Sequence, residues 1–431
     1  MQTFSVAADM REMKDSGVEW IGVIPNLWHI KKVKYLFEIV KRIAGNEGFD
    51  ILSVTQKGLK IKDISSGEGQ IAENYSNYQF VYPNDYVMNH MDLLTGWVDV
   101  SQLFGVTSPD YRVFRLLDSE LHNIGYFKYV MQNCYLNRIF YSLGQGVSSM
   151  GRWRLQTFVF NNFDLPIPPL TEQRAIANYL DNKCAEIDAL MEDIRAEIST
   201  LEEYKKSVIT EAVTKGLNPD AEMKDSEVAW VGECPGHWEQ HPVYYYFSER
   251  KAPNVLLAET NLLSLSYGKI KRKDINTNGG LLPASFNTYN IIEDGDIIIR
   301  PTDLQNDKRS LRTALSTEHG IITSAYIALR PKLGVNSAYF HYLLHAYDVQ
   351  KVFYNMGNGV RQGLNYSEFS KLMLLAPPVE EQQDIVSFLD AKSDEIESTI
   401  AEKREQQIAL TEYKKSLIYE YVTGKKEVPA P

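Results

Sequence analysis

The stretch MKDSGVEWIGVIPNLW at residues 13–28 returns as MKDSEVAWVGECPGHW at residues 223–238. A second stretch, PPLTEQRAIANYLD at 168–181, returns as PPVEEQQDIVSFLD at 377–390. The offset between the copies is 210 residues for the first pair and 209 for the second, so it is nearly constant along the chain. A repeat of this length predicts two copies of one domain rather than a short-period solenoid. Two copies in one chain suit a target that is itself built of two halves.

The composition is typical of a soluble globular protein. Hydrophobic residues make up 44% of the 431-residue chain and aromatic residues 11%, which is sufficient for two domains with cores of their own. The chain has no run of 18 apolar residues and no signal-peptide pattern, so we expect a cytoplasmic protein without a membrane span. The cysteines Cys134, Cys184 and Cys234 form no CxxC pair, and we expect free thiols in a reducing compartment.

The net charge of −11 is unevenly distributed. Residues 166–215 hold 10 acidic and 6 basic residues, and residues 379–431 hold 12 acidic and 7 basic residues. The regions 13–165 and 216–378 carry net charges of only 0 and −1. Basic clusters in these balanced regions can therefore still face a polyanion, and the acidic total does not exclude a nucleic-acid ligand.

Each acidic segment has the pattern of a long amphipathic helix. Apolar residues recur at steps of three, four or seven with charged residues between them, which is the coiled-coil signature. Proline pairs at 168–169 and 377–378 precede the two patterns, and Gly216 and Gly424 follow them. We expect the helices to pack on each other, the alternative being that each packs only on its own domain. The residues assigned to packing of the helix pair are Ile187, Met191, Ile194, Ile198, Leu201, Ile396, Ile400, Leu410 and Leu417.

The regions between the helices mix short β-type runs, such as 297–299 and 326–329, with helix-like stretches at 126–141 and 339–354. We therefore predict an α+β protein in which two similar mixed α/β domains, related by an approximate two-fold axis, are separated by the long helices. The predicted division is an N-terminal extension at 1–12, domain 1 at 13–167, helix 1 at 168–216, domain 2 at 217–376, helix 2 at 377–424 and a tail at 425–431.

Basic and amide side chains cluster at corresponding places in the two copies. Lysines anchor phosphates, whereas Arg, Gln and Asn side chains can read guanine and adenine edges in the major groove. A single cluster is more typical of a solvated face, but the clusters at 57–62 and 269–273 match each other and favour a shared nucleic-acid ligand. The candidate DNA-binding residues of the first copy are Gln56, Lys57, Lys60, Lys62, Asn89, Gln145, Arg152 and Arg154. Those of the second copy are Lys269, Lys271, Arg272, Lys273, Arg300, Gln305, Asn306, Lys308, Arg309, Arg361 and Gln362, with Arg312 close to the cluster at 305–309.

No catalytic or metal-binding pattern stands out. The NPPY-like tetrapeptide of a methyltransferase is absent, and the Gly-x-Gly-Val elements at 144–147 and 357–360 are more typical of structural turns than of a cofactor loop. Two His-x3-His pairs, at 237–241 and 341–345, have ligand spacing without an evident third ligand, and we expect satisfied or exposed histidines. We assign no catalytic residue, metal site or cofactor to this chain.

The layout resembles the specificity subunit of type I restriction-modification systems over residues 13–424. Each matching element is weakly specific alone, but all of them occur in order and the helix-associated ones occur twice. The matching elements are Trp20-Ile21-Gly22 with Pro25 and Trp28, the segments 53–58 and 91–98, the Glu-Gln pairs at 172–173 and 381–382, and the Tyr-Lys-Lys-Ser elements at 204–207 and 413–416.

The resemblance implies that each domain is a target-recognition domain that reads one half of a bipartite, asymmetric site in double-stranded DNA. The long helices would form an antiparallel pair that spaces the domains and docks two modification (methyltransferase) subunits, which restriction (endonuclease/translocase) subunits would join. S-adenosylmethionine, ATP and magnesium would belong to these partners. The second copy departs from the family pattern, since Tyr267-Gly268-Lys269 replaces a Gln-Lys-Gly tripeptide.

Three other classes of protein share parts of this pattern. The chain is compatible with a purely structural scaffold, with a stand-alone DNA-binding or anti-restriction decoy protein built on the same frame, or with a methyltransferase, which the absent tetrapeptide disfavours. A test of salt-sensitive DNA binding separates the scaffold from the DNA-binding classes.

The helices also predict the distance between the two half-sites. Domains at opposite ends of a coiled coil should read half-sites about one helical turn apart, roughly 34–36 Å. Four extra residues lengthen a helix by about 6 Å, so inserting them in register into one helix should lengthen the non-specific spacer by roughly one or two base pairs. Sequencing of methylated sites measures this spacer. Altered half-sites, or an unchanged spacer in an active enzyme, would contradict the prediction.

Overall fold

The computed structural model describes residues 11–63, 72–146, 153–275, 283, 285–302, 304, 311–356 and 363–429. The chain divides into two compact units. Unit 1 contains Met1–Ile194 and Glu405–Pro431, and unit 2 contains Arg195–Arg404. Each unit combines one globular head with a segment of each long helix. The domain bounds proposed from the sequence stay a prediction, because both units take in part of both helices.

The head of unit 1 consists mainly of short antiparallel strands. These are β1 (Met13–Asp15), β2 (Val23–Pro25), β3 (His29–Lys32), β4 (Phe37–Val40), β5 (Leu52–Thr55), β6 (Gly58–Ile61), β7 (Gln79–Val81), β8 (Tyr86–Met88), β9 (Val98–Val100), β10 (Gly105–Thr107), β11 (Arg112–Leu116) and β12 (Asp164–Ile167). Its helices are α1 (Ile124–Leu136), α2 (Ile139–Ser142) and α3 (Thr157–Asn161), with a 3-10 turn at Val33–Tyr35. The first long helix, α4 (Leu170–Lys215), follows β12.

A four-stranded antiparallel sheet of order β4-β11-β8-β9 lies at the centre of this head. Because side chains alternate along a strand, one face carries Tyr86 and Phe114 and packs into the main core with α1. The other face carries Val87 and Val113, which the hairpin of β5 and β6 covers with Leu52 and its neighbours. Burial on both faces explains why the short central strands read as continuous apolar runs.

The head of unit 2 has the corresponding elements in the same order. Its strands are β13 (Met223–Asp225), β14 (Glu233–Pro235), β15 (Glu239–Pro242), β16 (Phe247–Glu249), β17 (Leu263–Ser266), β18 (Lys269–Arg272), β19 (Asn290–Ile292), β20 (Ile297–Ile299), β21 (Thr313–Leu315), β22 (Gly320–Ile322), β23 (Ile327–Pro331) and β24 (Met373–Ala376). Its helices are α5 (Val243–Tyr246), α6 (Ser337–Val349), α7 (Tyr366–Phe369) and the second long helix, α8 (Val379–Val422), with a 3-10 turn at Val352–Asn355. None of the helices in the described part of the chain combines the length and apolar character needed to cross a bilayer.

The two heads share one topology. The central sheet of unit 2 has the order β16-β23-β20-β21, which is the order of unit 1 strand for strand. A parallel bridge between Ile51 and Val106 in unit 1 recurs between Leu262 and Ile321 in unit 2. The prediction that the repeat folds as the same head twice is therefore confirmed.

The helix-like stretches at 126–141 and 339–354 differ from the prediction in one respect, because neither forms a single helix. Arg138 and Lys351 adopt positive φ angles of 56° and 60°, each one residue beyond the C-cap of α1 or α6. A residue in the left-handed region cannot continue a right-handed helix. A separate short helical turn therefore follows α1 and α6 in both heads, and apolar spacing alone did not reveal the break.

Segments of α4 and α8 run antiparallel in unit 1. Asp188 pairs with Lys414 at 2.6 Å, and the ring centroids of Tyr179 and Tyr421 lie 4.6 Å apart. Residue numbers thus rise along one helix as they fall along the other. Gln407 interrupts the apolar pattern of α8, and its side-chain nitrogen is buried without a hydrogen-bond partner among the described residues.

The same arrangement holds in unit 2. Glu197 pairs with Lys403 and Lys205 pairs with Glu397, each at 2.5 Å, so the helix segments are antiparallel here too. Lys403 interrupts the apolar pattern of α8, and its ion pair with Glu197 offsets the cost of placing a charge there. The residues predicted to pack the helix pair are buried or half-buried, namely Ile187, Met191, Ile194, Ile198, Leu201, Ile396, Ile400, Leu410 and Leu417.

The start of α4 is anchored by a buried indole. The Glu172 carboxylate accepts a hydrogen bond from the Trp28 indole at 2.9 Å and pairs with Arg11 at 2.5 Å. The next residue, Gln173, accepts a hydrogen bond at 2.8 Å from the backbone amide of Asn123, the N-cap residue of α1. Trp28 is fully buried, so its N–H requires an internal acceptor. This anchor joins the N-terminal hairpin, α1 and α4.

An equivalent anchor starts α8. The Glu381 carboxylate accepts a hydrogen bond from the Trp238 indole at 3.0 Å, and its other oxygen lies 2.7 Å from His237. Gln382 donates a hydrogen bond to the carbonyl of Pro377 at 2.8 Å. The two repeated elements of the sequence, around the tryptophan and around the Glu-Gln pair, thus contact each other in each unit.

Replacing Glu172 with alanine should destabilise unit 1 by about 1–3 kcal/mol, because a buried indole N–H is left without its acceptor. Glu186 on the same helix is exposed and pairs only with Lys183, three residues away. The control Glu186→Ala should therefore change the free energy of unfolding by less than about 0.5 kcal/mol. Denaturant unfolding measures both variants. Equal stabilities would mean that the anchor contributes nothing.

Candidate nucleic-acid interface

The two matching basic clusters of the sequence lie on equivalent hairpins, β5–β6 in unit 1 and β17–β18 in unit 2. Gln56 and Lys57 form the turn of the first hairpin. Tyr267 and Gly268 form the turn of the second with φ angles of 49° and 76°. Positive φ at both turn positions matches the twist of the flanking strands. The correspondence that the sequence predicted therefore has a structural basis.

The lysines of the first hairpin point away from the core, Lys60 through strand alternation and Lys57 because it lies in the turn. Leu52 and Val54 face the sheet and are buried, whereas Gln56, Lys57 and Lys60 are exposed. In the described part of the chain, neither lysine side chain has an ion-pair partner. Both ammonium groups can therefore bind phosphate without first breaking an ion pair. The remaining candidate of this cluster, half-buried just after β6, is Lys62.

The second hairpin is partly tied to neighbouring elements. Lys269 pairs with Glu397 of α8 at 3.1 Å, and Arg272 pairs with Glu318 at 2.6 Å. A phosphate would have to compete with these carboxylates for the two side chains. The exposed lysines of this cluster that have no ion-pair partner among the described residues are Lys271 and Lys273.

The loop between β8 and β9 lies beside the first hairpin. Trp97 and Leu59 pack on the same small apolar cluster, and the Leu59 amide donates a hydrogen bond to Asp99 at 3.3 Å. The candidate residue Asn89 opens this loop, and its side chain accepts a hydrogen bond from the Met91 amide at 3.3 Å. Asn89 thus helps to shape the loop in addition to any contact with DNA.

A third segment joins the same end of the head. Gln145 and Arg154 pair through two backbone hydrogen bonds of 2.9 and 3.0 Å. The amide of Leu155 donates to the carbonyl of His90 at 3.0 Å, which ties this segment to the β8–β9 loop. Gln145 is exposed and Arg154 is half-buried. The structure therefore brings four candidates to one end of the first head, namely Gln56, Asn89, Gln145 and Arg154.

A buried arginine that the sequence analysis missed lies beneath these loops. The Arg112 guanidinium donates to the Leu155 carbonyl at 3.1 Å and to the Thr157 hydroxyl at 3.2 Å, and it lies 4.5 Å from the Phe160 ring centroid. Arg112 is only 4% exposed, and burial lowers its pKa to about 10. An arginine at the head of the apolar strand β11 was the only sign of it in the sequence.

The histidine of the same loop is neutral at pH 7. Burial, reinforced by the positive charges of Arg112 and Arg154, lowers the pKa of His90 to about 4. Its Nδ1 atom is buried without a hydrogen-bond partner in the described residues. The positive charge at this end of the head therefore comes from arginine and lysine, which keep it throughout the physiological range.

The second head builds this end differently. Arg312 is fully buried rather than part of a surface cluster. Its guanidinium donates to the carbonyl of Thr302, and its amide donates to the Asp348 carboxylate. Arg300, which is half-buried, donates its amide to the Arg312 carbonyl at 2.8 Å. Burial raises the pKa of Asp348 to about 6. Arg312 therefore holds Arg300 and Thr302, two of the described residues just after β20, from inside.

Several candidates lie outside the described residues. Their proposed contacts with DNA stay predictions. These residues are Arg152 in the first copy and Gln305, Asn306, Lys308, Arg309, Arg361 and Gln362 in the second.

The two His-x3-His pairs have different surroundings. His237 contacts the anchoring carboxylate Glu381, whereas His241 lies 3.2 Å from Glu239. Burial lowers the pKa of both His341 and His345, to about 4 and about 3 respectively. In the described residues, no three His, Cys, Asp or Glu side chains are placed to hold a metal ion together. The buried free thiols are Cys134, Cys184 and Cys234.

Known proteins resemble this chain in sequence and in fold. Residues 269–408 match the family described as the type I restriction modification DNA specificity domain. A Methanocaldococcus jannaschii protein, whose name assigns it to the type I restriction enzyme MjaX as specificity subunit, is 23% identical over 432 residues. That match covers 95% of this chain and 96% of the relative. The resemblance of the chain to the specificity subunits of type I restriction-modification systems is confirmed.

Two further proteins resemble the chain, one in sequence and one in fold. The MjaVIII specificity subunit of the same organism is 29% identical over 154 residues, which is 33% of each chain. A structure from work on complex assembly and conformational transition of the type I R-M system has the same fold, with a TM-score of 0.60 and 15% identity. That likeness covers 94% of this chain and 99% of the other. The function predicted from the sequence, that of a DNA-specificity subunit, is confirmed.

Replacing both Lys57 and Lys60 with glutamine should weaken binding of every duplex alike, because lysine–phosphate pairs carry no sequence information. The slope of log affinity against log salt concentration should become shallower by about 1.8, roughly 0.9 for each phosphate that is no longer neutralised. Lys14 and Lys34 are exposed elsewhere in unit 1, and the control variant with glutamine at both should keep the original slope. Weaker binding of one DNA sequence alone would instead mean that the lysines read bases.

Proposed function

We propose that each head of this specificity subunit reads one half of a bipartite, asymmetric DNA site. The observation that carries the proposal is the pair of equivalent hairpins with exposed cations, beside which further loops gather in the first head. The heads share their strand order but differ in the residues of these loops. Two different half-site sequences are therefore expected.

The long helices are proposed to space the heads and to dock two modification (methyltransferase) subunits, with restriction subunits completing the enzyme. Support comes from ion pairs between the long helices, which occupy corresponding positions in the two units. Lys414 pairs with Asp188 in unit 1, and at the corresponding position Lys205 pairs with Glu397 in unit 2. Two like surfaces suit two identical partners.

The chemistry is proposed to belong to the partners. S-adenosylmethionine, ATP and magnesium would be bound there, and this chain would act in the cytoplasm as a non-catalytic subunit. The regions 13–165 and 216–378 have net charges of 0 and −1, so their general attraction to phosphate is modest. Binding of a specific duplex would thus depend on partners that enclose the DNA.

Gln56→Ala in the first head should change the recognised sequence of one half-site only, because alanine has no amide to pair with a base edge. Arg300→Gln in the second head should change the other half-site only. A good bidentate pair is worth about 1–3 kcal/mol of discrimination, so roughly tenfold or more methylation of mismatched sites is expected. Each variant is expressed with its modification subunits, and the methylated sites are mapped by sequencing.

Two results would contradict the proposed function. One is a variant in either head that changes both half-sites. The other is methyl transfer to DNA by the rigorously purified single chain, which would make it an enzyme in its own right.

A further inference from the structure

We propose that Arg112 is a positioning residue for base reading by the first head. In this view its buried guanidinium holds the β8–β9 loop and the segment around Leu155 in the one arrangement that presents Asn89, Gln145 and Arg154 to DNA. The proposal rests on the proposed function, since it assumes that this end of the head reads one half-site.

The first argument is the cost of burying Arg112. A charged group taken out of water is strongly unfavourable unless a counter-ion compensates it. In the described part of the chain, no carboxylate lies within ion-pair distance of this guanidinium. Its acceptors are neutral, namely the Leu155 carbonyl, the Thr157 hydroxyl and, more weakly at 3.9 Å, the sulfur of Met88. An apolar side chain would fill this buried site without the desolvation cost of a charge, so the arginine indicates a function beyond packing.

The second argument is connectivity. Arg112 pairs through its backbone with Met88, the last residue before the β8–β9 loop. Its side chain reaches Leu155, and the amide of Leu155 donates back to the carbonyl of His90 in that loop. The contacts thus form a closed path from β11 to the segment around Leu155, from there to the β8–β9 loop, and back to β8. The planar fork of arginine suits this task, because its donors point to several acceptors in one fixed geometry.

The third argument comes from the second head. At the strand position of Arg112 that head has Ile327, since Ile327 pairs with Ile299 as Arg112 pairs with Met88. Its buried arginine is instead Arg312, which directly precedes β21 and donates to a loop carbonyl. Each head therefore has a buried arginine that donates to a backbone carbonyl, but the arginine lies in β11 in the first head and directly before β21 in the second. Substitution of either arginine should affect only the half-site that its own head reads.

The test uses the full chain in complex with its modification subunits. Arg112→Lys keeps the charge but removes the fork, and Thr157→Val removes one acceptor at nearly constant volume. Both variants should methylate sites with mismatches in the first half-site at least tenfold more than the wild type, while preference at the second half-site is unchanged. The matched control is Arg115→Gln on the same strand, where Arg115 is exposed and pairs with Glu38 at 3.0 Å. It should leave both preferences unchanged.

Hydrogen exchange supplies a second readout. Backbone amides of residues 89–97 and 153–157 should exchange at least severalfold faster in Arg112→Lys, whereas those of the central strands keep their wild-type rates. The reciprocal variant Arg312→Lys should relax only the second half-site. If an Arg112 variant fails to fold, Thr157→Val decides the question alone.

The outcomes distinguish failure of the positioning role from failure of the proposed function. A wild-type complex that methylates no bipartite site would refute the proposed function. If the wild type does methylate such a site, but folded Arg112→Lys and Thr157→Val keep its sequence preference, the positioning role is overturned. Slower methylation with both preferences intact would likewise overturn it, since a merely structural residue gives that result.

Discussion

The hydrogen bond from a buried indole to a helix-starting carboxylate is the interaction on which the rest of each unit depends. Trp28 donates to Glu172 and Trp238 donates to Glu381, at 2.9 and 3.0 Å. Neither indole has water as an alternative acceptor, since each is at most 1% exposed. The bond therefore determines where a long helix leaves its head. In each unit, a segment of one long helix then runs antiparallel to a segment of the other. Corresponding apolar positions of the helices are buried in both units.

Steric crowding in the interior also explains why the repeat can be recognised in the sequence. Gly105 and Gly320 occupy equivalent positions where a side chain does not fit. A Cβ atom would lie 2.6 Å from the Asp50 carbonyl at Gly105 and 2.6 Å from the Asn261 carbonyl at Gly320. Such positions tolerate little change, so the two copies stay alike there. The helix seam was predictable for the same reason, because apolar spacing reports burial directly. Fold class and the repeated head could thus be predicted from the chain alone, whereas the strand order and the contact of each tryptophan with its helix-starting glutamate came from the structure.

The candidate site was predictable only in part, because charge on a surface does not report its partners. Lys57 and Lys269 look alike in the sequence, yet the first has no ion-pair partner among the described residues and the second pairs with Glu397. Arg312 looked like part of a surface cluster and is buried. Arg112 carried no signal beyond its place before an apolar run. Long-range contacts decide these cases, and no local pattern encodes them.

Divergence between the heads extends beyond the loops that gather at the hairpins. In unit 1, Phe104 precedes β10 and stacks on Phe80 at 5.7 Å between ring centroids. The residue before the equivalent strand β22 is His319, which lies 2.8 Å from both Glu259 and Glu293, and hydrogen bonding to Glu293 raises its pKa. One backbone therefore supports an aromatic cluster in one head and an ionic cluster in the other. Because side chains on this outer layer bear little of the core packing, they can change independently, and the same freedom applies to the loops that would read DNA.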